Sequence, residues 1–208
     1  MLGIDTQFTT LAEAEHALLD LGRQVALPAD AMVCSHEVRD GAPHYAFSIA
    51  LAERAGPELV EVILDQFPGQ AAGIGCAADH DAADDYLARR LLGPAGAAAP
   101  GVRQAIAEVL GRHGGRAVTF PGSRQLAGTL PVGQAIGGSA LDRLAVLGGA
   151  PVPAEDLLVT RDFVRPRWSN GELVLAVLPA GQRLVAPFEV PNPTPCCAGH
   201  VADRESAS

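Results

Sequence analysis

The chain has 208 residues, 48% hydrophobic and 19% charged side chains and a formal net charge of −9. That is enough apolar material for one large or two small globular domains, and the balance is not that of a disordered chain. All 15 basic residues are arginine, which excludes chemistry that needs an amine: Schiff bases, pyridoxal phosphate linkage, the phosphate-loop lysine and the kinase lysine.

The charge is unevenly placed. Residues 1–85 hold 15 acidic and three basic side chains, and residues 86–208 hold nine and twelve. An acidic first half repels nucleic acid and anionic lipid, and the small positive surplus of the second falls far short of a duplex-binding stripe, so nucleic acid is not an expected partner. No window approaches the ~18 uninterrupted apolar residues of a membrane span, and MLGIDTQFTTLAEAEH lacks the basic-then-apolar form of a leader. The expected compartment is the cytoplasm, without a membrane partner. There Cys34, Cys76, Cys196 and Cys197 are expected as thiols or ligands rather than as a disulfide framework.

In chain order, residues 8–22 carry Phe8, Leu11, Leu18 and Leu19 at helical spacing, with Thr9 or Thr10 as cap. Residues 31–38 and 44–51 alternate, with Asp40-Gly41 between them, and predict a β-hairpin. Pro57 opens a short helix whose stripe of Leu59, Val62, Ile63 and Phe67 ends at Pro68-Gly69. Residues 70–77 suit a buried strand and 79–92 a helix with acids in its first turn. GPAGAAAPG, residues 93–101, has neither charge nor a large side chain and is expected as a linker or loop. It separates an acidic helix and hairpin region, 1–92, from a helix and meander region, 102–192, and 193–208 is expected as a Cys-Cys-x-x-His segment with a polar tail.

Beyond the linker, residues 102–113 predict a helix and 116–120 a strand. Ser139 to Asp142 has the spacing of a shortened capping box and predicts a helix through Leu147. The glycine-rich run 121–139 suits either a ligand-facing loop or close backbone packing. Residues 157–164, 172–178 and 183–190 are strand candidates, with Asn170-Gly171 as a strong hairpin signal. The fold class implied is α+β: a two-layer arrangement of amphipathic helices with an N-terminal hairpin and a C-terminal antiparallel meander.

Two constellations could carry chemistry. Cys196, Cys197 and His200 lie within five positions in PTPCCAGH, and thiolate and imidazole donors suit a transition metal, zinc foremost, although the spacing is that of no standard finger. Cys34 and His36, two apart on a strand, share a face and would complete the site if the tail folded back on the hairpin. The plain alternative buries Met32, Cys34 and Val38 and leaves His36 a satisfied histidine. In the second constellation, Arg161, Arg165 and Arg167 alternate beside Trp168, which suits bidentate capture of an anion with ring stacking, Arg116 and Arg124 assisting. The alternative there is pairing of these arginines with the acidic first half.

A third group, Cys76 with Asp79, His80 and Asp81, combines a thiol with a base, but its acids oppose a thiolate. GIGCAAD lacks the third glycine of a dinucleotide fingerprint. The functions these residues support are a metal-binding protein or metal-dependent enzyme, a non-catalytic module for an anionic small molecule or protein partner, or a metal-free thiol enzyme using Cys34 with His36. Nothing in the sequence sets an oligomeric state.

Overall fold

A computed structural model describes residues 1–51, 57–74, 100–147 and 151–191. Thr10 fixes the start of the first helix: its hydroxyl accepts the Glu13 N–H at 3.3 Å and donates to the Glu13 carboxylate at 2.7 Å, a reciprocal cap. From it α1 (Leu11–Gln24) runs with Ala14, Leu18 and Leu21 turned inward. It follows a first strand, β1 (Leu2–Asp5), that the alternation of the sequence did not signal. The expected hairpin forms from β2 (Met32–Val38) and β3 (His44–Ala50), paired from Met32–Ala50 to Val38–His44. Next come α2 (Pro57–Asp65) and β4 (Ala71–Ile74), then α3 (Pro100–Leu110) and β5 (Arg116–Thr119). The helix expected over 79–92 and most of the 93–101 linker lie outside the described residues.

These five strands pair antiparallel in the order β4-β1-β3-β2-β5. One face packs Leu2, Ile4, Val33, Phe47 and Ile49 against Leu18 and Leu21 of α1 and Ile63 of α2. On the other face α3 lies across β1, β2 and β3. Its approach there is close because the strands offer small residues: Val38 and Ala46 meet Ala105, and a Cβ on Gly3 would stand 2.9 Å from Ile106. Helices therefore cover both faces of these strands, giving three layers where two were expected.

The second half extends the same sheet through β9 (Arg167–Ser169), β10 (Glu172–Gly181), β11 (Leu184–Pro187), β8 (Leu157–Val159) and β6 (Thr129–Pro131), eleven strands in all among the described residues. The Asn170-Gly171 hairpin is present with both residues at positive φ, but it joins β9 to β10. Residues 157–159 instead run parallel to β11. The two antiparallel partners of β10 are therefore β9 and β11, with Pro166 preceding β9, and no simple meander forms because the other edge of β10 is taken by a parallel strand formed by residues 143–146.

The helix expected over 139–147 does not form. A short helix, α4 (Val132–Gly137), precedes it. Ser139 ends that helix, donating its hydroxyl to the Ala135 carbonyl at 2.7 Å. The Asp142 carboxylate is taken by the Leu173 N–H at 2.6 Å, and β7 (Arg143–Val146) pairs parallel to β10. Close packing accounts for part of the glycine-rich run: Gly122 has φ +76°, and a Cβ there would fall 2.2 Å from the Gly138 carbonyl oxygen. The second core holds Phe120, Leu144, Leu158, Trp168, Leu173 and Val177, with Cys34 and Ala117 reaching in from the first half. Among the described residues no helix is long and apolar enough to cross a membrane.

Candidate anion-binding site

Alternation along β2 sends Ser35 and His36 to opposite faces of the sheet, and each belongs to a polar group of a different kind. On the α3 face, His36 donates Nδ1–H to Glu108 Oε2 at 2.7 Å, and its Nε2 meets Ser48 Oγ at 2.8 Å. Gln104 Nε2 donates to the other Glu108 oxygen at 2.7 Å. Burial raises the Glu108 carboxyl, but the bonds from His36 and Gln104 outweigh it and hold the group below its ordinary value. Gly115, at φ +94°, closes over the imidazole so tightly that a Cβ there would lie 2.4 Å from His36 Cε1.

The order Ser48, His36, Glu108 is that of an activated hydroxyl, yet Ser48 and His36 are each 1% exposed and no substrate carbonyl can reach the hydroxyl. Cys34 completes the chain through Ser48. Burial drives its thiol up to about 12, with a smaller opposing effect from the Ser48 hydrogen bond. Such a thiol is protonated at neutral pH and is a poor nucleophile and a poor ligand. Cys34 and His36 thus share a face as expected, but both imidazole nitrogens are engaged and the thiol is enclosed.

On the α1 face, register places Ser35 beside Arg116 and Arg116 beside Arg167, a row across β2, β5 and β9. Two guanidinium groups side by side on adjacent strands repel, and carboxylates fill the space around them. Glu15, on the inner side of α1 and only 7% exposed, accepts from Arg116 Nε at 2.5 Å and from Arg165 Nε at 3.1 Å. Glu189, two residues beyond β11, bridges the Arg pair: one oxygen takes Arg116 Nη1 and the other takes Arg167 Nη2 at 3.3 Å. The Phe163 ring lies under Arg165 at 4.5 Å and Arg116 at 5.8 Å, a geometry that favours the cations. Burial pulls the Arg116 pKa down, against the opposing pull of Glu15.

Two clefts meet at Arg167. One, of about 420 Å³, is lined by Arg165, Arg167, Val174, Ala176, Phe188 and Glu189 among others. The other, of about 370 Å³, is lined by Ser35, Tyr45, Arg39, Arg116 and Arg167 with His36 and Glu108. The Ser35 hydroxyl is buried and has no hydrogen-bond partner, an orphan donor at the wall of a polar cleft.

Of the predicted anion site, Arg165 and Arg167 do share one face, and Arg116 joins them. Arg161 does not: it and Asp162 take φ of +53° and +51° in the turn before β9, which breaks the strand spacing, and Arg161 lines neither cleft. Trp168 points the opposite way, into the second core, with Arg112 stacked over it at 5.1 Å. Arg124 is exposed on the 3₁₀ turn 123–125 and lines a different depression. Cys196, Cys197 and His200 lie outside the described residues, as do Cys76, Asp79, His80 and Asp81. Among the described residues no group of three or more His, Cys, Asp or Glu side chains is arranged to hold a metal ion.

No protein-family model matches the chain, and comparison with curated proteins and with solved structures finds no match. The site therefore stands on its own geometry.

Sequence reasoning missed Glu15 and Glu189. The first had a signal: Glu15 interrupts the inward stripe of Leu11, Ala14, Leu18 and Leu21, and a carboxylate there requires a buried cation. Glu189 had none, being one more polar residue at the end of a strand-like run.

Proposed function

We propose that this chain is a non-catalytic binding module for an anionic small molecule, held by Arg116 and Arg167 where the two halves of the sheet join. The observation that carries this is the Glu189 carboxylate lying between those two guanidinium groups: the pocket has the shape and charge to hold an oxyanion. Arg116, Arg165 and Arg167 face Glu15 and Glu189, while the neighbouring Glu37 is paired with Arg39, which leaves a positive surplus, and Arg167 is 60% exposed along its side chain and open to a ligand. Planar guanidinium pairs suit carboxylate and phosphate oxygens. The absence of lysine leaves this recognition intact, since it uses no amine.

A nucleophilic role for Cys34 draws no support from an enclosed thiol of raised pKa. Metal binding by Cys196, Cys197 and His200 would rest on residues beyond those described, and elemental analysis of untagged protein tests it separately. The anion site is tested by thermal denaturation in sodium acetate against sodium chloride at matched ionic strength. The unfolding midpoint rises with acetate in the native chain and does not in Arg167→Ala; an equal rise in both, or none in either, overturns the proposal.

A further inference from the structure

Carbonyl directions along β10 determine what lies next to the arginines. Leu173 and Val177 carbonyls accept from Asp142 and Leu147 N–H, toward β7, whereas the Ala176 carbonyl accepts from Phe188 N–H. Glu172 pairs with Ser169 across a two-residue hairpin, which turns its peptide groups to the same side as those of Ala176. So β9 and β11 share one edge of β10, end to end, while β7 holds the other. The 420 Å³ cleft lies where one partner gives way to the next, lined by Arg167 and Ser169 of β9, by Val174 to Ala176 and by Pro187 to Glu189.

The side chains there are sorted by face. Leu173, Leu175 and Val177 point into the second core. Val174 and Ala176 point the other way, in register with Arg167 and Phe188, and Phe188 is 48% exposed. An apolar floor of Val174, Ala176 and Phe188 thus begins beside Arg167 and Glu189, in the same cleft.

The two carboxylates of the cluster differ in how firmly they are held. Glu15 is buried within a helix. Glu189 stands beyond the end of β11 and is 29% exposed along its side chain. If Glu189 left, Arg116, 5% exposed, would keep only Glu15, which it shares with Arg165. A buried cation so under-compensated recruits another anion.

Resting on the anion-binding reading, we infer that the ligand is an amphipathic carboxylate. Its head group takes the place of the Glu189 carboxylate between Arg116 and Arg167, and its unbranched or aryl body lies on the Val174, Ala176 and Phe188 floor. Glu189 is then the internal occupant that the ligand displaces. Phosphate or acetate alone would satisfy the arginines but leave this floor wet, and burying even part of an alkyl chain there adds affinity for each methylene covered.

The test uses the full chain with acetate, octanoate and octylammonium, below micelle-forming concentrations, and reads affinity by calorimetry. Octanoate binds at least tenfold more tightly than acetate, Phe188→Ser removes most of that advantage, and Glu189→Gln tightens octanoate several-fold by weakening the competitor. Equal affinities for acetate and octanoate overturn the apolar body and leave the anion site standing. Octylammonium binding as well as octanoate marks mere apolar adsorption and also overturns the inference. No binding of either carboxylate, even to Glu189→Gln, removes both this inference and the anion site beneath it.

Discussion

The polar groups on the two faces of β2 differ in closure. Under α3, the chain from Cys34 through Ser48 and His36 to Glu108 is closed at its inner end: the Ser48 hydroxyl and both imidazole nitrogens are engaged, and only Glu108 and the edge of the His36 ring border the 370 Å³ cleft. Beneath α1, the Arg–Glu cluster is open. It has more cations than carboxylates, one counterion at a strand end, an orphan hydroxyl at Ser35 and a cleft on either side of Arg167. The closed group resembles catalytic machinery in its atom order and the open one does not. Accessibility, more than donor geometry, separates a network that supports the fold from one that can take a ligand.

The largest loss is expected at the buried base of the open cluster. Glu15→Ala leaves Arg116 and Arg165 without their shared counterion, and urea denaturation is expected to show a loss of about 3–5 kcal/mol. A loss of under about 1 kcal/mol would mean that these guanidinium groups reach water and that the site is a surface patch. His36→Ala acts on the closed side. It takes one partner each from Ser48 and Glu108 and opens a void, and should cost about 2–3 kcal/mol while leaving the acetate-induced rise in midpoint intact. Loss of the acetate effect in that variant would show that the two faces are coupled.

The smallest effect is a pH dependence where β1, β3 and the start of α3 meet. There His44 donates Nδ1–H to the Ala42 carbonyl at 2.8 Å and Nε2–H to Asp5 at 2.6 Å, and Asp5 also accepts the Gly101 N–H at the start of α3 at 3.1 Å. Partial burial disfavours the imidazolium, but the two acceptors outweigh it and raise the His44 pKa above 6.5. A raised pKa makes the contribution complete below 6.5 and removes it as pH rises through the folded-state value. The stability advantage over His44→Gln should therefore be about 1 kcal/mol near pH 5 and shrink toward about pH 9. A constant difference across that range would assign His44 a packing role alone.

Where the sequence carried periodicity, the fold was legible. Thr10 and Glu13 mark the start of α1, the alternation around Asp40-Gly41 marks the β2-β3 hairpin, and Asn170-Gly171 marks a hairpin turn. It misled where two local signals overlap. Ser139 and Asp142 have cap spacing, but Ser139 closes the preceding helix and Asp142 is claimed by the Leu173 N–H from a distant strand. The arginine cluster was legible in part, since Arg165 and Arg167 share a face by strand periodicity alone. Arg161 falls away because a positive-φ turn intervenes, and Trp168 because alternation puts it on the opposite face.

By itself the sequence determined the inventory: arginine as the sole basic side chain, an acidic first half, the caps, the turns and the parity of each strand, all local properties set by residue type and spacing of a few positions. Tertiary structure alone decided which charges meet. Glu15 and Arg116 are 101 positions apart and Arg116 and Glu189 a further 73, so no periodicity relates them. Only the pairing of β5 with β9 and the seating of α1 across the sheet bring three cations around two carboxylates, and low local dielectric then makes their pairing matter.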